Sequence, residues 1–281
     1  MTARRRDLVF LKLGGALITK KDERESLRAA VLDRLAREVA AAYAEGRFAL
    51  VLAHGSGSFA HVAVRDTRFA ERTQDRLALA RVAAAARRLD TLVVDAMVRA
   101  GLPALGLPGS AFARARAGRV FATRPDMIDG MLLHGLVPVV YGDAVLDDAC
   151  GGAVASTEDL LLALADTLTP HRVVLATDVD GVFDRDPAAD GAVLLPRLGP
   201  ADWSRLRPAL SGSRPGTTDV TGGMSGKVRA MLDLVERLPE LQIRVLSGLR
   251  EGAVASALAD SGGAGGTLIV VLILVEFELP R

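Results

Sequence analysis

Along most of this chain the spacing of apolar positions switches between a continuous run and a recurrence every four residues, and the switch predicts its elements. Leu8 to Leu13 is nearly all apolar and reads as a first buried strand. Leu27, Val31, Leu35, Val39 and Tyr43 then recur every four residues, predicting a helix capped by Ser26 and ending at Gly46. Phe48 to Ala53 returns as a strand, and Arg76 to Ala100 as an alanine-rich helix stopped by Gly101. Pro125 opens a helix running to about His134, and Val137 to Tyr141 is again a strand. A further helix is expected from Ser156 or Thr157, where Glu158 and Asp159 suit the positive end of its dipole. Arg172 to Thr177, Gln242 to Leu246 and Thr267 to Phe277 read as strands, and Met224 to Arg237 as a helix. Asp184 to Pro215, rich in proline, glycine and charge, reads as an irregular excursion with Trp203 as a local anchor. Strands and helices in this order predict an α/β fold: a three-layer αβα sandwich on one continuous, largely parallel sheet.

Composition narrows the function classes. The chain has 281 residues, enough to bury a substantial core, and no linker-like stretch divides it, so one domain over 1–281 with two lobes is expected. Aromatic residues make up 4%, and 35 basic residues against 34 acidic leave a net charge of +1, which argues against nucleic-acid or membrane partners. Cys150 is the single cysteine, which excludes an internal disulfide and a cysteine metal cluster. Arg4-Arg5-Arg6 is followed by no apolar run of signal length, and Leu268 to Val275 is too short to span a bilayer. A cytoplasmic protein is expected.

The candidate chemistry sits in glycine-containing islands at strand ends: Lys12 to Lys21, His54 to His61, Thr177 to Gly181 and Asp219 to Lys227. In open α/β sheets ligands gather beyond the carboxyl ends of the strands, so these islands are expected to converge. Glycine lets backbone N–H groups approach an anionic oxygen closely. A lysine such as Lys12 inside an apolar strand is costly unless its ammonium emerges toward an anion. Gly55-x-Gly57-x-x-Ala60 matches a dinucleotide fingerprint, yet an earlier strand carries its own Gly14-Gly15 turn and the expected acidic residue on the next strand is missing. Asp219 to Lys227 is no Walker A loop either, because Thr221 and Val228 stand where that pattern needs Gly and Ser or Thr. It does place glycines before a helix N-terminus, with Lys227 in that helix.

Lys12-x-Gly-Gly, His54-Gly-x-Gly-x-x-x-His61, Thr177-Asp178-Val179-Asp180-Gly181 and Asp219-Val-Thr-Gly-Gly-Met-x-x-Lys227 occur in one order over about residues 8–275. In this the chain resembles the amino acid kinase superfamily, and within it the isopentenyl phosphate kinase family. His61, at the end of the second island, also resembles the related fosfomycin kinases, as does Lys20-Lys21-Asp22-Glu23.

The resemblance implies an acceptor lobe over about 1–168 and an ATP lobe over about 169–281. Asp178 would line the nucleotide, and Gly222, Gly223 and Lys227 would hold its phosphates. Gly14, Gly15 and Gly57 would supply backbone donors around the transferring phosphoryl group, with Ala16 beside them where the family usually has serine. Lys12 and Lys21 match the two lysines that neutralise that group. Gly55, Ser56 and His61 would hold the acceptor's phosphate, with Thr157 nearby; Ser56, Ala60 and Thr157 replace glycines that are frequent in the family. ATP and Mg2+ are implied, with no protein side chain assigned to the metal, and so is a homodimer. A phosphate monoester has its second pKa near 6, so an acceptor oxygen is already anionic and the chemistry needs no general base. Catalysis becomes positioning and charge neutralisation. The acceptor's tail would lie against the helix between Leu77 and Ala100, where Ala83 to Ala86 leave space. The rival readings are a phosphonate kinase, a carboxylate kinase of the superfamily, and a nucleotide- or small-molecule-sensing protein without turnover.

Overall fold

Successive apolar runs pair side by side, because a strand that is apolar on both faces is stable only where helices cover both. The computed structural model describes residues 7–20, 23–71, 73–210, 223–259 and 265–271. Strand β1 (Asp7–Leu13) leads through the one-turn helix α1 (Gly15–Ile18) into α2 (Ala29–Ala44), then β2 (Phe48–His54). Helices α3 (Gly57–Thr67) and α4 (Arg76–Arg99) follow, then β3 (Ala104–Pro108) and the short α5 (Gly109–Phe112). Next come β4 (Ala113–Arg116), β5 (Arg119–Thr123), α6 (Asp126–Leu133), β6 (Val137–Tyr141), β7 (Asp143–Asp147), β8 (Gly151–Ala155) and α7 (Thr157–Leu168). The remainder comprises β9 (Arg172–Thr177), β10 (Arg197–Leu198), α8 (Trp203–Leu210), α9 (Gly223–Arg237), β11 (Gln242–Ser247), α10 (Ala253–Leu258) and β12 (Thr267–Ile269).

The central sheet has the order β10-β12-β11-β9-β1-β2-β6-β3, and every pairing except β11 with β12 is parallel. The strand period of two divides β1 cleanly. Val9, Leu11 and Leu13 pack toward α2 and α10, while Leu8 and Phe10 join the cluster built on α7 and α9. Lys12 shares that second face, at the carboxyl end of the strand.

This continuous, largely parallel sheet is the one the sequence reading expected, but a second sheet accompanies it that the reading did not expect. β5-β4-β7-β8 form a separate four-stranded sheet, mainly of antiparallel hairpins. These strands are four or five residues long, and polar residues or glycines interrupt them, as in Ala113-Arg114-Ala115-Arg116, so they leave no long apolar run to read. The predicted cap Ser26 is also displaced. Its hydroxyl donates to Glu23, a bridge pairs Thr19 with Leu27, and α2 starts after Arg28. Within the irregular excursion, Trp203 opens a helix and packs against the core, with the Arg229 guanidinium 5.5 Å from its ring centre. The last predicted strand ends at Ile269, and the part beyond residue 271 lies outside the described residues. Among the described residues no helix is long and apolar enough to cross a membrane.

Candidate active site

Parallel pairing brings three chain turns to one level. In register, Leu13 lies beside His54 on β2 and Ala176 on β9, so Gly14, Gly55 and Thr177 leave the sheet together. The Gly14 N–H donates to the Ala176 carbonyl at 2.8 Å, and the Gly55 N–H to the Leu13 carbonyl at 2.9 Å. The first two turns then touch. A Cβ on Gly15 would fall 2.6 Å from the Gly57 nitrogen, and one on Gly55 would fall 2.6 Å from the Gly15 nitrogen. Only glycine permits this approach, and it sets backbone N–H groups of both turns side by side.

Lys12 arrives beside these turns from within the sheet. Its buried ammonium donates to Glu158 Oε1 at 2.6 Å, on the first turn of α7, while Lys227 Nζ from α9 lies 3.6 Å from the same oxygen. Burial pushes the Lys12 ammonium below its usual value, outweighing the opposite pull of Glu158, and Lys227 pushes it further the same way. Burial would raise the Glu158 carboxyl, but the Lys12 ammonium, then Lys227, outweigh it and bring it down to about 2. Glu158 is therefore ionised, and two ammonium groups around one carboxylate leave a surplus positive charge. Glu158 is the functional residue that sequence reading missed. It was visible only as a helix-dipole residue, because its partner Lys12 is 146 residues away.

The hydroxyls that replace glycine have internal work. Thr157 Oγ1 donates to the His54 carbonyl at 2.8 Å and accepts the Gly142 N–H at 2.9 Å. Ser56 Oγ donates to the Gly142 carbonyl at 2.6 Å. Both hydroxyl protons are thus committed to backbone, tying the end of β2 to the end of β6 and the start of α7. Neither hydroxyl can also donate its proton to a phosphate in this arrangement. The Ser56 and Thr157 hydroxyls therefore brace the turn at which Ser56 was expected to meet the acceptor's phosphate.

His61 does not end a loop, as its spacing suggested. It lies in α3, one turn past Gly57, and is exposed. Ala16 is the second residue of α1, Asp178 is exposed just beyond β9, and Gly223 opens α9. Lys21 and Gly222 lie outside the described residues. Behind α3, a separate apolar cluster gathers Ala60, Val64, Phe69, Val82, Ala86 and Tyr141. The Ala83 to Ala86 stretch is split: Ala83 and Ala86 join that cluster, Ala85 is buried, and Ala84 faces outward. Among the described residues, no three His, Cys, Asp or Glu side chains gather as a metal-binding group.

Residues 7–247 match the family model for the amino acid kinase family. An isopentenyl phosphate kinase from Methanothermobacter thermautotrophicus is 37% identical over 247 residues, covering 84% of this chain and 90% of that protein. Another from Haloferax volcanii is 38% identical over 231 residues, covering 81% of this chain and 88% of its own. A crystal structure of an isopentenyl phosphate kinase superposes with a TM-score of 0.78 at 32% identity, covering 93% of this chain and 100% of that one.

Proposed function

The chain belongs to the amino acid kinase family, and on that footing we propose that it is an ATP-dependent kinase converting isopentenyl phosphate, or a related prenyl monophosphate, to the diphosphate. One observation carries the reading: Lys12 of β1 and Lys227 of α9 lie 2.6 and 3.6 Å from one Glu158 oxygen, beside two abutting glycine turns. Such a cradle suits two phosphates that repel each other and must be brought into line.

The acceptor oxygen is itself an anion, so no side chain has to remove a proton. Lys12 neutralises charge on the transferring group, and Gly15 and Gly57 direct N–H groups at its oxygens, while Gly14, its own N–H held by the Ala176 carbonyl, lets the backbone pass close to them. Lys227 and the start of α9 at Gly223 steady the nucleotide phosphates, with Asp178 toward the nucleoside and Lys21 and Gly222 completing the set. Glu158 holds the two lysines apart and aimed, which makes it a positioning residue. Gly55 and the Ser56 N–H meet the acceptor phosphate, and His61 donates a hydrogen bond to it from α3. The acceptor's tail enters the apolar cluster between α3 and α4. A Mg2+ ion bound with ATP would add further neutralisation of the transferring charge beside Lys12 and Lys227. A homodimer working in the cytoplasm completes the proposal.

The test is ADP release measured across isopentenyl phosphate, longer prenyl phosphates, fosfomycin and acidic amino acids. Turnover with the prenyl monophosphates is expected. Preference for fosfomycin or an acidic amino acid, or ATP binding with no acceptor-dependent turnover, would overturn the reading.

A further inference from the structure

Beneath the second glycine turn, His54 ends β2 with its side chain fully out of contact with solvent. Its Nε2 lies 3.2 Å from Asp90 Oδ1, on the middle of α4, and its Nδ1 lies 3.2 Å from the Gly55 carbonyl oxygen. The ring stacks on Tyr141 of β6 at 5.3 Å between centres and 14° between planes. Asp90 is itself buried, and the edge strand β3 makes room for it: a Cβ on Gly106 would fall 2.5 Å from Asp90 Oδ2. The other charged groups nearby are Arg87 of α4, hydrogen-bonded to Tyr141, and Asp143 of β7. None of these residues takes part in the phosphoryl chemistry described above.

A neutral imidazole carries one N–H and one lone pair. With Asp90 ionised, whichever nitrogen held the lone pair would face an oxygen lone pair at 3.2 Å, away from water that could relieve it. We infer that His54 is doubly protonated and ion-paired with Asp90, and that it is a positioning residue for acceptor binding through the Gly55 carbonyl. The peptide plane transmits the effect. With the Gly55 carbonyl held by the ring, the trans geometry of the next bond turns the Ser56 N–H to the opposite edge of the plane, away from the ring. From the other side, Thr157 grips the His54 carbonyl, so the peptides flanking this turn are set from both ends. The role in acceptor binding rests on the proposed kinase reading, whereas the protonation of the ring does not.

Two measurements decide it. In a two-dimensional proton–nitrogen spectrum of the 15N-labelled protein at neutral pH, His54 is one of four histidines and is identified by its loss in His54→Gln. Both of its ring nitrogens are expected to carry slowly exchanging protons; one bare ring nitrogen would overturn the inference. The isosteric Asp90→Asn variant is expected to lose one of those two protons. Its KM for isopentenyl phosphate should rise about tenfold, the worth of one charge-assisted hydrogen bond, while its KM for ATP stays within about twofold. An unchanged acceptor KM, or an equal rise in both constants, would refute the positioning role. Should the unaltered protein turn over no prenyl phosphate, the kinase reading fails, and the spectrum still decides the state of the ring.

Discussion

The Lys12 ammonium and the Glu158 carboxylate meet at 2.6 Å, joining a strand at the start of the chain to the first turn of a helix beyond its midpoint. Lys227 reaches the same oxygen from a third element. This one carboxylate therefore sets the spacing of two ammonium groups that come from different elements.

Lys12→Met removes the charge proposed to act on the transferring group. Steady-state kinetics should show kcat falling about 100- to 1,000-fold, with a smaller change in the KM for ATP. Glu158→Gln keeps the shape and loses the aim, so kcat should fall at least about tenfold. The same variant leaves Lys12 buried without its counter-charge, and denaturant melts should register a loss of about 3 kcal/mol.

The acid limb of stability should carry the mark of Glu158. Its carboxyl sits at about 2 in the folded chain against 4.5 for an ordinary glutamate, so the unfolded chain binds the proton first as pH falls. The stabilisation is full above 4.5 and is lost as the pH drops toward 2. Denaturant midpoints measured through that window should fall more steeply for the unaltered protein than for Glu158→Gln.

Alanine at Gly15 or Gly55 would drive a methyl group to 2.6 Å from the backbone of the facing turn. Either variant should lower kcat/KM by at least about 100-fold, because a misplacement near 1 Å in a positioned site costs that much. Gly130 in α6 has open space around its Cα, and Gly130→Ala should instead leave activity unchanged and gain up to about 1 kcal/mol in thermal unfolding.

Thr157 tests the brace beneath the loop. Thr157→Val leaves the His54 carbonyl without its donor and the Gly142 N–H without its acceptor, both buried. Equilibrium unfolding should show a loss of about 2 kcal/mol, largely restored in Thr157→Ser.

His61→Ala separates the two ligands. Its KM for the prenyl phosphate should rise or its kcat fall by about tenfold or more, and its KM for ATP should stay nearly constant. Equal effects on both substrates would remove His61 from the acceptor's site.

Much of the fold was legible because burial on two faces leaves a continuous apolar run, as in β1, β2, β6 and β9, and the long helices keep their four-residue recurrence. The second sheet was not, since four- and five-residue strands broken by polar residues or glycine carry no such signal. His61 looked like the end of a loop because the spacing of glycines does not reveal where a helix begins. In the site, glycine and lysine at strand ends led the sequence reading to expect an anion cradle, and the structure brings Gly15, Gly55, Gly57 and Lys12 together at the ends of β1 and β2. The sequence by itself determined which groups are on offer at those ends: backbone donors freed by glycine, and ammonium groups, both of which suit phosphate. Only the tertiary structure decided how those groups are held. Glu158, Asp90 and the hydroxyls of Ser56 and Thr157 find their partners across β-sheet register and helix packing, and a contact between residues far apart in the chain leaves no periodicity to read.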